Sequence, residues 1–321
     1  MADKERERAI LRSVYRADEF PEVLTSARER PDFVLRRNDL REPFGVEVTE
    51  LYQSDSLARF TRHPTYGKDL LDGGRHIHKD DVTALKVVTA QHRRGETDLG
   101  PIEAIIVPKL ATQEYGDLLR SRIVEKSRRA AGYDSSLRHI NLLVYDLTGT
   151  FRGWSRSDAS TVIAKTTSYD AIAASPFREL FVVTSVEGGE WVVVPLKQHL
   201  LLAYAYAFDA AYSPGAPDDT SATEWFDAFA TFMSERLIHV FRHLGGTGEP
   251  AVAYGNTSIG IRPGEDVSVY DHAELPLPED AHEVPNSGRF SEEVHETFRR
   301  HLEEHDLIFG YVANVVGPPP I

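Results

Sequence analysis

Two short segments near the N-terminus constrain the fold of this chain more than any other part of its sequence. Residues 31–36 and 44–51 are rich in β-branched and aromatic side chains, and residues 38–43 between them are of types that favour turns. The pattern predicts an antiparallel β-hairpin. Residues 4–16 combine opposite charges at helical spacing with an apolar stripe, and they predict an opening helix.

The segments after this hairpin alternate between helix and strand patterns. We interpret a mixed stretch at about 53–100 as an insertion with a polar loop and a helix over 82–92. The later elements predicted are a strand over 102–107, a helix over 115–131, a buried strand over 139–145, and a second hairpin over 179–185 and 191–195 that turns at Gly188 and Gly189. The chain is therefore expected to be an α/β (α+β) protein with a mixed central sheet flanked by helices.

The composition changes after position 196. The elements predicted there are a helix over 200–212, a linker rich in proline and glycine at 214–220, a long helix over 223–244, a hairpin over 251–261 and 267–270, and an acidic helix over 290–304. We therefore divide the chain into a domain over 1–196 and a helical and β-hairpin extension over 197–321.

The composition excludes several classes of function. The 321 residues contain no cysteine, which excludes disulfide bonds, thiolate zinc sites and cysteine nucleophiles, and which favours a reducing cytoplasm. The N-terminus lacks the apolar segment of a secretion signal, and no apolar run approaches the length that spans a membrane. We expect a cytoplasmic protein without a membrane partner.

The negative charge is concentrated in the second half of the chain. The net charge of −14 argues by itself against nucleic acid, because lysine and arginine dominate phosphate contacts. Residues 1–160, however, carry 27 basic and 26 acidic side chains, whereas residues 161–321 carry 9 and 24. The first half has enough arginine to line a phosphate-facing surface, although two ordinary solvated faces would give the same counts.

Two acidic side chains in the predicted hairpin are candidate metal ligands. Alternate side chains of an extended strand share a face, so Glu47 and Thr49 point to one side while Val46 and Val48 point to the other, toward the core. Asp32 begins the neighbouring strand, and its carboxylate reaches the face of Glu47 if the register permits. Two converging carboxylates bind a hard divalent cation such as Mg²⁺.

A lysine in the helix predicted over 115–131 is the third candidate. Leu119, Ile123, Lys126 and Ala130 follow the spacing of one buried stripe. A lysine held against a sheet is costly unless its ammonium meets an anion, and a carboxylate pair with its metal and a phosphate would supply one. Periodicity alone leaves open the alternative that Lys126 lies at the edge of the stripe and extends to solvent.

These residues resemble the signature of a known superfamily. Pro31-Asp32 followed by Glu47-Val48-Thr49 is similar to the PD-(D/E)xK nuclease motif, as is the order of helix, hairpin, helix and strand over about residues 1–150. The resemblance implies a restriction-endonuclease-like core in which Asp32 and Glu47 bind Mg²⁺ or Mn²⁺, while a lysine orients or deprotonates the attacking water. The position of the motif's lysine holds Thr49, and in some branches the lysine comes from the following helix, where Lys126 stands.

The resemblance also implies a function. We expect a metal-dependent phosphodiesterase that acts on nucleic acid, DNA in the first place, in defence or restriction, with Asp32, Glu47 and Lys126 as its catalytic set. A glutamate of the first helix often assists in this family, and here Glu5 or Glu7 would fill that place. The alternative is a catalytically inactive binding or structural protein of the same fold, if Thr49 marks a loss of the lysine. With either function, the acidic second half is a candidate surface for a homo-oligomer or a protein partner.

Further polar residues have weaker patterns. The candidates for phosphate contacts are arginines near the hairpin and on the following helix: Arg36, Arg37, Arg41, Arg120, Arg122, Arg128 and Arg129. His76 and His78, followed by Asp80 and Asp81, fit either a metal site or a polar loop. The late histidines, His295, His301 and His305, are interpreted as surface residues.

Overall fold

The computed structural model describes residues 2–20, 22–24, 30–36, 43–63, 65–73, 78–137, 139–213, 221–244, 249–261, 267–271, 281–288 and 290–304. Several expectations fall outside these ranges, namely the linker at 214–220 and the residues Arg37, Arg41, His76 and His305. No helix within the ranges is both long and apolar enough to cross a membrane.

The first 146 residues supply one half of a central sheet and the helices that cover it. The elements are α1 (Ala2–Val14), β1 (Glu22–Leu24), β2 (Phe33–Arg36), β3 (Phe44–Leu51), α2 (Asp55–Arg62), α3 (Tyr66–Gly73), α4 (Asp81–Ala84), β4 (Lys86–Arg94), β5 (Thr97–Ile106), α5 (Thr112–Ala130) and β6 (Ile140–Asp146).

The rest of the chain completes that sheet and adds a second one. The elements are α6 (Arg156–Thr166), α7 (Tyr169–Ala173), β7 (Leu180–Ser185), β8 (Trp191–Pro195), α8 (Leu196–Tyr212), α9 (Ala222–Ser234), β9 (Phe241–Leu244), β10 (Pro250–Tyr254), β11 (Thr257–Ile261), β12 (Val267–Asp271), β13 (His282–Glu283) and α10 (Glu292–Glu304).

The central sheet has six strands in the order β1-β2-β3-β6-β7-β8. The first three strands are antiparallel, β3, β6 and β7 are parallel, and β8 returns antiparallel to β7. Parallel neighbours need a long crossover connection, and α5 lies within the connection between β3 and β6. The predicted α/β fold, with a mixed sheet and flanking helices, is therefore confirmed.

Both faces of the sheet are covered. Leu143 and Tyr145 of β6 face a cluster that includes Leu11 of α1, whereas Leu142 and Val144 face the larger cluster on the other side, which includes α5, α6 and α8. A central strand buried on both faces has a nearly continuous apolar sequence. This explains why β6 was recognisable from sequence as a buried strand.

A second, antiparallel sheet has the order β12-β11-β10-β9-β13. Its residues Val252 and Tyr254 belong to the same hydrophobic cluster as Leu142 and Val182 of the central sheet, with the aromatic side chain of Phe208 among them. The hydrophobic core thus continues across position 196, where the sequence suggested a boundary between 1–196 and 197–321. That division stays a prediction.

A buried acid and base lie at this junction. Glu179 Oε1 accepts the backbone N–H groups of Leu180 at 2.9 Å and Lys197 at 2.8 Å, while Lys197 Nζ donates to the Ser175 carbonyl at 3.1 Å and lies over the Tyr254 ring. Burial raises the pKa of Glu179 and lowers the pKa of Lys197, because both charged forms lose their hydration. The pair ties β7 and α8 to β10.

Two predicted helices are wrong in part. The helix expected over 82–92 ends at Ala84, and the chain continues as β4, because Val87, Val88 and Thr89 are β-branched and β5 is available to pair with them. The helix expected over 223–244 ends at Ser234. His239 then adopts a left-handed φ of 60°, and the chain enters β9, which pairs with β10.

The strand predicted over 102–107 exists within β5, but it lies outside the central sheet. It pairs with β4 alone, and we call this two-stranded sheet, residues 86–106, the ribbon. Most of its side chains are exposed, including the large apolar residues Leu99, Ile102 and Ile106. The ribbon forms the main part of the insertion between β3 and α5.

Candidate active site

Asp32 immediately precedes β2, at the edge where this strand meets β3. Phe33 pairs with Val46 in the antiparallel register, which places Asp32 beside Glu47. Asp32 Oδ2 accepts the backbone N–H of Val48 at 2.9 Å, and Oδ1 accepts Lys4 Nζ of α1 at 3.1 Å. The carboxylate is half-buried, and its position is fixed from both sides.

Glu47 lies within β3 on the face that α5 covers, and its residue is only 6% exposed. Its Oε1 accepts Lys126 Nζ at 2.7 Å. Burial raises the pKa of Glu47, and the negative charge of Asp32 raises it further, whereas the ammonium of Lys126 opposes both effects. The register of β2 and β3 thus places the two carboxylates next to each other.

Lys126 reaches this face from a position about one turn before the end of α5. Leu119 and Ile123 on the same stripe are fully buried, and 12% of the Lys126 side chain is exposed. The ion pair with Glu47 joins residues 79 positions apart in sequence. The structure thus resolves the alternative in favour of an inward lysine, because the ammonium meets a carboxylate instead of solvent.

Two further residues at this site had no signal in the sequence patterns. The Tyr133 hydroxyl, just after α5, lies beside Glu47 without a hydrogen bond of standard geometry, and burial together with the charges of Glu47 and Asp32 raises its pKa. Lys4 Nζ bridges Asp32 and Glu7, the latter at 3.0 Å. Both contacts depend on tertiary structure, and only the position of Lys4 on an amphipathic first helix was visible beforehand.

The arrangement fits a hard divalent cation. Glu47 Oε2 is buried and has no hydrogen-bond partner in the part of the chain that the structure describes, so one anionic oxygen has a free coordination position. Within those same ranges no group of three or more histidine, cysteine or acidic side chains gathers around one point. Mg²⁺ sites commonly use one or two carboxylates and keep several waters, and Asp32 with Glu47 matches that pattern.

Position 49, where the PD-(D/E)xK motif has its lysine, holds threonine in this chain. Thr49 follows Glu47 on the same face of β3 and is 7% exposed. The space that a lysine at position 49 would use is thus on the side from which Lys126 approaches Glu47. An ammonium is present at the carboxylate pair although the motif position lacks one.

The two glutamates of the first helix, Glu5 and Glu7, have different environments in the structure. Glu7 joins the site through Lys4, whereas Glu5 is exposed and forms no ion pair with any residue of the described ranges. On α5, Arg122 and Arg129 form ion pairs with Glu125, which directly precedes Lys126. Arg36, Arg120 and Arg128 are exposed. The α5 arginines therefore lie along the helix that carries the lysine.

The segment around His78 is built as a structural turn. Asp81 is fully buried, and its oxygens accept the Tyr66 hydroxyl, the backbone N–H of His78 and the guanidinium of Arg59. These hydrogen bonds lower the pKa of Asp81 against the effect of burial. His78 is exposed, and it joins no ligand cluster within the described ranges.

The predicted glycine turn is present, whereas the late histidines His295 and His301 are half-buried and not plain surface residues. Gly188 and Gly189 both have positive φ values, 71° and 76°, in the turn between β7 and β8, as expected for a hairpin. His295 is not a plain surface residue, since its side chain contacts Glu235 and Arg236 under α10.

Comparisons with known proteins add no family to this description. A scan against protein-family models, a search of curated proteins and a search of solved structures each find no match to this chain. Any function assigned to the chain therefore rests on the geometry of Asp32, Glu47 and Lys126.

Proposed function

We propose that the chain is a metal-dependent phosphodiesterase, a nuclease that acts on DNA in the cytoplasm. The observation that carries this proposal is the 2.7 Å contact between Lys126 Nζ and Glu47 Oε1, next to a second carboxylate, Asp32, on the adjacent strand. Two acids and one base around a buried, unpartnered oxygen are the groups that metal-assisted phosphodiester hydrolysis requires.

The connectivity around the site supports the same proposal. An opening helix, three antiparallel strands, a crossover helix and a strand parallel to the third occur in this order, as α1, β1, β2, β3, α5 and β6. The resemblance seen in the sequence implies this order of helix, hairpin, helix and strand. The ribbon is then an insertion into this core and not a part of it.

Each side chain has a role that its position allows. Asp32 and Glu47 would hold Mg²⁺ or Mn²⁺, which supplies electrostatic stabilisation and a bound water of lowered pKa. Lys126 places a positive charge beside Glu47 and can hydrogen-bond a phosphoryl oxygen or the attacking water. Glu47 is largely removed from bulk water, which strengthens these electrostatic interactions, and the Tyr133 hydroxyl lies beside it.

The charge distribution supports nucleic acid as the substrate. The site lies in the half of the chain with balanced charge, and Arg122, Arg128 and Arg129 lie on the helix that carries Lys126. Cationic side chains beside a cleavage site position the phosphate backbone. The acidic second half would repel DNA, which makes it the candidate surface for a protein partner or a second copy. A role in defence or restriction is consistent with this activity.

The experiment is a nuclease assay on supercoiled plasmid, single-stranded DNA and RNA. We expect cleavage with Mg²⁺ or Mn²⁺ and none with EDTA. Asp32→Asn, Glu47→Gln and Lys126→Ala should each lower the rate by about 100-fold or more, the range of losses seen when an acid–base or electrostatic group is removed. Asp117→Asn, on the exposed face of α5, and Lys68→Ala, on α3, are the matched controls and should keep the wild-type rate.

A second function is favoured by one observation. Both oxygens of Asp32 already have protein partners, Lys4 and the Val48 N–H, and position 49 holds threonine. A nuclease fold that has lost turnover would show such internal pairing and would act as a binding or structural protein. A wild-type protein that cleaves none of the three substrates and binds neither Mg²⁺ nor Mn²⁺ would establish this alternative.

A further inference from the structure

A cavity of about 760 Å³ lies between α6, α7, α8 and α10, and none of its lining residues belongs to the elements that carry Asp32, Glu47 and Lys126. Its volume is within the range of small-molecule sites. One part of the wall is apolar and aromatic, with Leu200, Tyr204 and Phe298 among its residues. The apolar part of an organic ligand could pack against these side chains.

His199 is the first polar group that the protein leaves unsatisfied in this wall. The residue is 6% exposed, and its Nε2 has no hydrogen-bond partner within the described ranges. Burial lowers its pKa to about 4, so the ring is neutral at pH 7. A buried ring nitrogen without a partner is unfavourable, and a polar atom of a bound molecule would satisfy it.

Arg236 is the second such group. Its guanidinium is held over the Phe232 ring at 3.9 Å and near the Phe298 ring at 5.0 Å, and Nη2 contacts His295. Nη1 is buried and makes no hydrogen bond to any described residue, although Glu235 lies 3.9 Å away. A guanidinium fixed by aromatic stacking with a free donor is suited to a carboxylate or phosphate oxygen.

The charge of the wall is nearly balanced. Lys165, Arg236 and Arg299 line it together with Asp170 and Glu303, and Glu235 lies 3.9 Å from Arg236. The cavity is therefore less negative than the chain as a whole, whose net charge is −14. Attraction of an anion to this place would be local, and it would oppose the field of the whole molecule.

We propose that this cavity binds a small organic anion, with an aromatic or apolar body against Tyr204 and Phe298 and one phosphate or carboxylate group on Arg236, while His199 bonds a polar atom of the body. The proposal does not depend on the nuclease site. It identifies the cavity as a ligand site within the second half of the chain.

The test is a titration of the full-length wild-type protein by calorimetry, and by NMR of the histidine rings. Adenosine 5′-monophosphate represents a phosphate source, and indole-3-acetate represents a carboxylate source. Adenosine, indole and inorganic phosphate are the half-molecules. We expect one intact anion to bind with a Kd below about 1 mM, to perturb the His199 resonances, and to bind at least about 10-fold more tightly than its halves.

Three variants locate the binding. Arg236→Gln removes the charge, His199→Gln changes the ring, and Ala203→Leu fills the cavity without changing the charge. Each should weaken binding by about 10-fold or more, whereas Arg242→Gln on β9, outside the cavity, should not. Arg236→Lys covers the case in which Arg236→Gln fails to fold. The proposal is overturned if neither anion binds wild type below about 1 mM, or if Ala203→Leu and Arg236→Lys bind as tightly as wild type.

Discussion

The carboxylates at the candidate active site differ in how the protein holds them. Asp32 is fixed by an N–H group and an ammonium, whereas Glu47 is buried, keeps one free oxygen and has a raised pKa. Protons and metal ions therefore compete for Glu47 in a pH range where an ordinary glutamate is already ionised. This difference gives the site a measurable pH response.

We predict that Mn²⁺ affinity falls as the pH is lowered from about 7 to about 5. A raised pKa keeps more of Glu47 protonated at the lower pH, and a protonated carboxyl group is a poor ligand. Calorimetric titration with Mn²⁺ at several pH values measures the effect. Glu47→Gln, which removes the titrating group, should bind weakly with little pH dependence, and equal wild-type affinity across the range would contradict the assignment.

The two lysines are expected to contribute unequally. Lys126 Nζ contacts buried Glu47, whereas Lys4 is 44% exposed and reaches Asp32 from α1. Interactions of exposed charges are weak because water screens them. We predict that Lys4→Met lowers the cleavage rate by less than about 10-fold, against about 100-fold or more for Lys126→Ala. Rates measured side by side at saturating Mg²⁺ test this prediction, and equal losses would show that Lys4 is as important for cleavage as Lys126.

The positions of individual side chains at the candidate site could be predicted only where helix or strand periodicity indicated them. The stripe of Leu119 and Ile123 made an inward Lys126 one of two possibilities, between which only the structure decided. The shared face of Glu47 and Thr49 followed from strand alternation. Tyr133 and Lys4 were missed because their contacts with the carboxylates arise from the packing of α1 and of the segment after α5. No local pattern encodes such packing.

At the level of elements, the helices and strands with strong sequence periodicity were predicted correctly. The elements at which strand pairing competed with local helix propensity were not. The hairpin of β2 and β3, the helix α5 and the buried strand β6 agree with their sequence patterns. The β4 segment and the end of α9 do not, because pairing with β5 and with β10 replaced a helix that local spacing allowed. Tertiary pairing thus overrode local propensity at both places.

The junction of β7, α8 and β10 gives a prediction at this scale. Glu179→Ala removes the acceptor of two backbone N–H groups and leaves Lys197 buried without its counter-charge. Removal of one partner of a buried pair typically costs about 3–5 kcal/mol. Urea denaturation measures the free energy of unfolding. Glu187→Ala, in the exposed turn of the same hairpin, is the control and should change it by less than about 0.5 kcal/mol.

At the scale of the whole molecule, two electrostatically different halves share one hydrophobic core. The central sheet contributes Leu142 and Val182, and the second sheet contributes Val252 and Ile259 to the same cluster. The acidic part is therefore packed directly on the part that carries the candidate active site. Its charge contributes to the field that any nucleic acid meets on approach.

We predict that DNA binding, measured with the inactive Glu47→Gln variant, is strongly dependent on salt. Contacts from the N-terminal half to phosphates release counterions, so the affinity should fall by at least about 10-fold between about 50 and 200 mM salt. Fluorescence anisotropy with a labelled duplex gives the slope. Arg128→Gln should reduce this slope, and a salt-independent affinity would argue against phosphate contacts.

The long connection that brings Lys126 to Glu47 has a consequence for the timing of activity. Because 79 positions separate the two residues, and the ribbon lies between β3 and β6 in the sequence, we expect the ion pair to form in a late, non-local folding step. A chain still being synthesised up to residue 110 already contains both acids but not the base. The proposed hydrolytic centre should therefore be inactive in the nascent chain until α5 has been synthesised and has packed against β3.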